Sequence, residues 1–435
     1  MKFYGRNSEL KELQKLDKIS IKRNTMTVIT GRRRIGKTRL IKQFCKEKQH
    51  LYFFASRKNE NLLCNEFVNI IREELKIPVV GSNFTLKDVL QLLFEYSKKR
   101  KLIVIIDEFQ DIYRYHPDFI SELQNMWDAN RENGGIHLIL SGSIFSLMNK
   151  IFIDEKEPLF GRADRILRLQ PFKIETVKEI FSESNIIDQK VLFHAFLLTG
   201  FMPKYLEILI DENVNSLKKL LTSVIRENSP FLEEGFSVLM GEFGKDYSTY
   251  FSILELISKG KTGRSEIESY LQKKIGGYLD RLDQNYDIID RIKPILAKPN
   301  SKRQKYYVKD NFLNFWFRFI YRNRSSVEMN NFDYIKRYIK AHYDVYAGKI
   351  LERYFHKKLI ESGKYNIIGS YWEKKYTNEI DIVAVNQMKK NVLFADVKMK
   401  KNKLRIESLK TKAAKIIDQF EEYKIEWKGF CLEDI

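Results

Sequence analysis

The chain has 435 residues, enough for two to four ordinary domains, and 43% of them are apolar, so packed cores are expected and wholesale disorder is excluded. It carries 77 Lys and Arg against 57 Asp and Glu, a formal net charge of +20, which favours an anionic partner, nucleic acid above all. Its three cysteines (Cys45, Cys64 and Cys431) have no paired spacing, which excludes a disulfide framework and a cysteine-based zinc site and fits a reducing cytosol.

The opening, "MKFYGRNSELK", has no apolar run of the signal-peptide kind. The longest apolar stretch, "VLFHAFLLTGFM" (191–202), is too short to span a bilayer. The expected setting is the cytoplasm, without membrane contact. Up to about residue 175, apolar runs alternate with helical patterns. "MTVIT" (26–30), "LYFFA" (51–55), "LIVIID" (102–107) and "IHLILSG" (136–142) read as buried strands, with "KTRLIKQFCKEK" and "FISELQNMWDAN" as helices between them. That alternation predicts a mainly parallel sheet covered on both faces.

"VITGRRRIGKTRL" holds Gly31-x-x-x-x-Gly36-Lys37-Thr38 between a strand and a helix, the P-loop pattern. Loop N–H groups and the helix N-terminus favour phosphate, Lys37 reaches the β- and γ-phosphates, and the Thr38 hydroxyl ligates Mg²⁺. The nucleotide-binding stretch is thus Gly31, Arg32, Arg33, Arg34, Ile35, Gly36, Lys37, Thr38 and Arg39. "LIVIIDEFQD" supplies the acidic partner: Asp107 to hold Mg²⁺ through water, Glu108 to polarise the attacking water. A strand-end carboxylate that caps the next helix is the plainer reading of Glu108.

"LILSGSIFSLM" sets Ser141 and Ser143 at a strand end, as sensors of the γ-phosphate or as helix caps. "PLFGRADRILRLQPF" offers Arg162 and Arg165 to stabilise charge on the transferred phosphate, in cis or from a neighbouring copy, or as surface ion pairs.

Residues 176–245 read as mostly helical. Residues 246–325 show three helices, "YFSILELISKG", "GRSEIESYLQ" and "KIGGYLDRLDQ", and then two strands, "DIIDRIKPILAK" and "QKYYVKDN". In 378–401, "NEIDIVAVNQMKKNVLFADVKMKK" reads as a hairpin turning at Lys-Lys-Asn. Asp381 on one strand, with Asp396 and Lys398 on one face of the next, are the residue types of a PD-(D/E)xK nuclease. Such a site needs two carboxylates on Mg²⁺ and a lysine beside the scissile phosphate. A charged but inert hairpin is the alternative.

These motifs resemble the archaeal-type ATPases of the AAA+/STAND group whose C-terminal half is a domain of unknown function with a nuclease-like fold. "FYGRNSELKEL" is similar to the opening box of that family, which implies that Gly5 and Arg6 lie against the nucleotide base. "GRRRIGKT", "IDEFQ" and "PLFGRADR" follow in family order. "TGFMPKYL" resembles the Gly-Gly-x-Pro-x-Tyr-Leu element, which implies that Pro203 packs near the adenine, with Phe201 in place of the second glycine. "VKDNFLNFWFRFIYRN" resembles the signature after the winged helix; its apolar density reads as core.

The resemblance implies a winged helix in the third segment, where residues 259–324 hold sixteen Lys and Arg and seven Asp and Glu. Lys273, Lys274 and Arg281 would enter a DNA groove with Lys302, Arg303 and Lys305 in the wing on phosphates, unless the module contacts protein instead. It also implies a supporting acid, Glu352 in "GKILERYFHKKLIES", beside Asp381 and Asp396. The family more often has Glu-Cys-Lys where this chain has Asp-Val-Lys. Glu379 is a spare carboxylate.

The expected fold is α/β: a P-loop NTPase with an AAA+-like parallel sheet (1–175), a helical lid (176–245), a winged helix (246–325) and a C-terminal α/β nuclease-like domain (330–435). The expected function is a Mg²⁺-dependent ATPase that couples ATP binding and hydrolysis to DNA binding and to cleavage by the C-terminal domain. The alternative is a non-nucleolytic STAND-type ATP switch serving as a DNA-binding or signalling adaptor. A homo-oligomer is the form in which an arginine acts on a neighbour.

Overall fold

Parallel strands β1 (Thr25–Thr30), β2 (His50–Phe54), β3 (Leu102–Asp107), β4 (Ile136–Gly142) and β5 (Arg165–Arg168) form one sheet in the order β2-β3-β4-β1-β5. β1, β3 and β4 are buried along their whole length, as strands between two helical layers must be, which explains the apolar run of β3 and the largely uncharged sequences of β1 and β4. On one face Val28, Phe53, Val104, Ile106 and Leu138 pack with residues of the helices Glu60–Leu75, Leu86–Ser97 and Asp118–Asn130. β5 was not anticipated. As the short edge strand "RILR" it has an arginine at each end and no apolar run to announce it.

The computed structural model describes residues 2–186, 188–244, 247–298, 301, 303–373 and 378–435. The chain divides after Gln170 into two units. The expected boundary between lid and winged helix, at 245/246, lies outside the described residues.

The second unit begins with five helices, from Ile174–Glu183 to Pro230–Phe243. Then come Tyr247–Ser258, Arg264–Leu271 and Gly276–Asp280, followed by the antiparallel pair β6 (Ile289–Ile292) and β7 (Lys305–Val308). This is the three-helix and hairpin rhythm read from the sequence. Phe312, Phe315, Trp316, Phe317 and Phe319 are all buried, and the Trp316 indole N–H donates to the Leu232 carbonyl at 2.7 Å, so this segment is core. Phe201 keeps the glycine-like backbone of its resembled element, with φ of +68°, while its ring is buried against Phe196. A side chain in that region costs about 1–2 kcal/mol, which burial of the ring offsets.

A 30-residue helix, Phe332–Glu361, leads into the last sheet. Its strands are β8 (Ile367–Trp372), β9 (Glu379–Asn386), β10 (Asn391–Val397) and β11 (Lys424–Phe430), in the order β11-β10-β9-β8. β9 is antiparallel to both its neighbours, β8 and β10; β11 runs parallel to β10 after the helix Ile406–Ala413. Among the described residues no helix is long and apolar enough to cross a membrane.

Candidate functional site

The loop leaving β1 turns by means of three left-handed residues, Gly31 (φ +152°), Arg34 (φ +70°) and Gly36 (φ +94°), before α2 (Lys37–Cys45) starts. A Cβ on Gly31 would meet the Leu169 carbonyl and the Ile35 side chain, each at 3.1 Å, so that position is closed by space as well as by dihedral. Lys37, 6% exposed, points its ammonium back into the loop and donates to the carbonyls of Gly31 at 2.9 Å and Arg32 at 3.4 Å. Burial pushes this ammonium below its ordinary pKa, and the charges of Glu108 and Asp107 oppose the shift.

Arg6, itself left-handed at φ +63°, ties the N-terminus to the loop by donating to the Ile35 carbonyl at 3.2 Å and to the Gln170 carbonyl at 2.7 Å. Gly5 beside it has φ of +60°. Arg39 donates to the Lys2 carbonyl at 2.8 Å, and Arg33 is exposed.

Strand order brings the acidic half of the site to this loop. Because β4 lies between β1 and β3, Ser141 stands between the P-loop strand and Asp107. Asp107 is 4% exposed and accepts four hydrogen bonds. Thr38 Oγ1 (3.2 Å) and the Tyr52 hydroxyl reach Oδ2; Ser141 Oγ and the Glu108 N–H (3.0 Å) reach Oδ1. Glu108 sits at φ +55° and caps no helix with its side chain; it accepts from Ser143 Oγ at 2.7 Å and from the Gln110 amide. The N-cap position of the helix Phe145–Ile153 is Ile144, not either serine.

Thr38 and Asp107 together fit what Mg²⁺ asks of a nucleotide site, one hydroxyl and one carboxylate, with waters and phosphates completing the octahedron. Tyr52 was missed, because a tyrosine in "LYFF" reads as one more core aromatic.

Sheet polarity separates the two candidate arginines from this loop. Strand β5 is parallel to β1 with Arg165 opposite Thr27, so Arg165 lies some four residues, about 13 Å of strand, below the P-loop, and Arg162 precedes the strand altogether. Arg162 forks onto Asp128, with Nε at 3.1 Å from both carboxylate oxygens and Nη2 at 2.8 Å from Oδ2; Arg165 Nε reaches Glu12 at 3.1 Å. The in-cis expectation is corrected: within one chain neither guanidinium is at the phosphate end of the sheet.

In the second unit the hairpin is as expected, and the register carried one residue beyond Ala395↔Ile382 sets Asp396 opposite Asp381. Lys398 Nζ bridges the pair, 2.6 Å from Asp396 Oδ1 and 3.2 Å from Asp381 Oδ2, and the Val397 N–H donates to Asp381 at 2.8 Å. Burial works against the Asp381 charge, but Lys398 and that N–H hold its pKa below the ordinary value. Burial and the neighbouring Asp381 push Asp396 up. Burial lowers Lys398, and the two aspartates more than reverse it. His356 Nε2 lies 3.0 Å from the Asp381 carbonyl, to which Ser370 Oγ donates at 2.8 Å.

Glu352 does not join the aspartates. It is engaged by Lys349 at 2.9 and 3.1 Å, and among the described residues no three metal-binding side chains converge. The expected metal triad of Asp381, Asp396 and Glu352 is corrected to an aspartate pair, because Lys398 bridges the two aspartates while Lys349 holds Glu352. Glu352 and Lys398 line an open groove of about 820 Å³ that neither aspartate lines; Lys190, Lys349, Lys400, Lys401 and Lys403 line it too.

Burial pushes the Glu352 carboxyl from 4.5 up to about 7, with Asp381 and Glu379 adding to the shift and Lys349 opposing it. The folded chain therefore binds more protons than the unfolded chain between those values, and stability falls as pH rises through that window. Glu352→Gln should remove this component, which amounts to at most about 3 kcal/mol. Thermal melts of both proteins at pH 5 and pH 7.5 check it; an unchanged difference between the two pH values would rule it out.

The wing is docked rather than free. Lys305 is buried, its ammonium 2.9 Å from Glu379 and over the Trp372 ring at 4.6 Å. Ile295 packs into the core of the last sheet, and its N–H donates to the Ser370 carbonyl at 2.8 Å. Lys305 is thus corrected from a phosphate contact to a docking residue, and Glu379 is its counter-ion. Lys302 lies outside the described residues. Arg303, Lys273, Lys274 and Arg281 are exposed. Pro203 opens the helix Pro203–Asp211 and is buried in the second unit.

Residues 3–209 match a family described as an ATPase domain predominantly from Archaea, and residues 316–417 match one described as Archaea bacterial proteins of unknown function. An uncharacterized protein of Methanocaldococcus jannaschii is 32% identical over 409 residues, which cover 92% of this chain and 88% of that protein. Among solved structures, a Walker-type ATPase of Pyrococcus abyssi superposes with a TM-score of 0.55 at 20% identity, covering 72% of this chain and 96% of that one. At that identity the likeness is one of fold.

Proposed function

Because this chain belongs to the family of ATPases found predominantly in Archaea that carry a C-terminal domain of unknown function, we propose that it is a Mg²⁺-dependent ATP hydrolase whose turnover governs how its basic second unit engages DNA. The observation that carries the reading is the meeting of Lys37, Thr38, Ser141, Asp107 and Glu108 at one end of a parallel sheet. Residues 1–175 bind and hydrolyse ATP, 176–245 are the helical lid, 246–325 the winged helix, and 330–435 the nuclease-like domain. Gly5 and Arg6 serve the base. The setting is a reducing cytoplasm, in keeping with three buried free thiols.

In this reading the loop N–H groups and Lys37 bind the β- and γ-phosphates, and Ser141 senses the γ-phosphate. Thr38 and Asp107 would hold Mg²⁺, which would supply charge neutralisation at the phosphates. Glu108 takes the proton of the attacking water. Arg162 and Arg165 serve a second copy of the chain, at the end of the sheet where each is found.

DNA is favoured by the net charge of +20, the lysine-lined groove and the exposed Lys273, Lys274 and Arg281. Binding to a labelled duplex should weaken about a hundredfold or more between roughly 50 and 200 mM salt. The joint replacement of Lys400, Lys401 and Lys403 by alanine should flatten that slope. Salt-indifferent binding, or none, would return the charge to a matter of solubility.

A second reading, cleavage by the C-terminal domain, is favoured by the approach of Asp381, Asp396 and Lys398. The aspartate pair fits a single Mg²⁺ once Lys398, 36% exposed, swings out towards a phosphate. Plasmid cleavage with Mg²⁺ or Mn²⁺, lost in Asp396→Ala, would establish it. No cleavage with ATPase intact leaves an ATP-driven binding switch.

A further inference from the structure

The acid that serves the nucleotide site is held by a residue that belongs to none of the site's motifs. Both oxygens of Asp107 are doubly engaged. Three of its four donors belong to the nucleotide machinery: Thr38 of the P-loop, Ser141 of the sensor strand, and the backbone of Glu108. The fourth, Tyr52, comes from β2 on the far side of β3. In the parallel register Tyr52 pairs with Ile105, two residues before Asp107, so its ring must lie along the strand to bring the hydroxyl to the strand end.

From this geometry we propose that Tyr52 is a positioning residue for magnesium: it fixes Asp107 Oδ2 and Thr38 Oγ1 relative to each other, and so sets how tightly the P-loop holds the metal–nucleotide complex. The proposal rests on the ATPase reading above and adds a residue to it. Thr38 has one proton and donates it to Asp107, which leaves its oxygen lone pairs available to a cation. That arrangement persists only while Asp107 is held in place. Without Tyr52, Oδ1 stays held by Ser141 and the Glu108 N–H, but Oδ2 keeps Thr38 as its one donor. The carboxylate can then tilt about χ2, a broad torsion with little intrinsic preference, which moves Oδ2 and with it the Thr38 hydroxyl. The Tyr52 hydroxyl on the adjacent strand limits that tilt. Phosphate binding by the loop N–H groups and Lys37 involves neither oxygen, so the loss should appear only when magnesium is present.

The test is Tyr52→Phe, which keeps the ring and the β2–β3 pairing and removes one oxygen. Affinity for a fluorescent ATP analogue is measured with excess EDTA and with excess magnesium, beside the magnesium concentration that half-activates ATP turnover. Expected are an EDTA affinity equal to wild type, a loss of about tenfold in magnesium-dependent affinity, as for one hydrogen bond to a charged group, and a rise of similar size in half-activating magnesium. Equal affinities of variant and wild type in both conditions would overturn the proposal while leaving the ATPase reading intact. An equal loss with and without magnesium would also overturn it, by making Tyr52 a general support of the loop. A wild type whose nucleotide affinity ignores magnesium would overturn this proposal and the magnesium-dependent reading together.

Discussion

Replacing Lys37 with alanine is expected to reduce ATP turnover by a factor on the order of 10²–10³, the size found when a preorganised charge is taken from a transition state in a water-poor site. The effect on folding should be small by comparison. Lys37 is buried by the loop it serves, its ammonium satisfied by two carbonyls of that loop. The variant removes a desolvated charge together with its partners' hydrogen bonds, two changes of opposite sign. Steady-state phosphate release and a thermal melt, run on the same preparation, separate the two. Turnover at the wild-type rate would end the P-loop assignment.

The same variant tests whether copies cooperate. A Lys37→Ala chain retains Arg162, and an Arg162→Ala chain retains an intact loop. If Arg162 acts on a neighbouring copy, mixing the two inactive proteins restores part of the activity; if it does not, the mixture stays as inactive as its components. The structure makes this the informative design, because Arg162 is paired with Asp128 at the opposite end of the sheet from its own P-loop.

Glu108→Gln is expected to lower turnover about 10²–10⁴-fold, the usual contribution of a positioned general base, while ATP binding survives. The amide keeps the shape of the carboxylate and one oxygen able to accept from Ser143, so the left-handed turn at Glu108 should persist. What disappears is the ability to take a proton. Ser143 and the Gln110 amide both donate to Glu108 Oε2, which orients the carboxylate and leaves Oε1 to engage the attacking water. Near-wild-type turnover in Glu108→Gln, measured against ATP affinity in the same protein, would assign the base elsewhere.

Much of the nucleotide site could be read without a structure. The P-loop is contiguous, and its glycines answer a local need for left-handed backbone, so Gly31, Gly36, Lys37 and Thr38 announce themselves by spacing. β3 and β4 were legible to the residue because a strand buried on both faces is dominated by apolar residues and ends where the chemistry starts, at Asp107 and near Ser141. The antiparallel hairpin carrying Asp381 and Asp396 was legible for a related reason: a short turn between two apolar runs constrains its own register.

Strand order, register and burial were matters for the tertiary structure. Which strand neighbours which is a long-range fact that no local pattern carries. For that reason Tyr52 looked like core, and Arg162 looked near the phosphates although the sheet places it at the other end. The same holds for charge. Lys398 was expected beside the two aspartates and Lys305 on a phosphate, whereas Lys349 was one more lysine in a lysine-rich chain. Only folding pairs Lys349 with Glu352 and Lys305 with Glu379, turning an expected metal triad into an acid pair and an expected DNA-binding wing into a docked one. Local sequence determined the backbone geometry and residue types of the nucleotide site. The partners of each charge were decided by desolvation, which leaves a buried ion little choice but the nearest opposite charge.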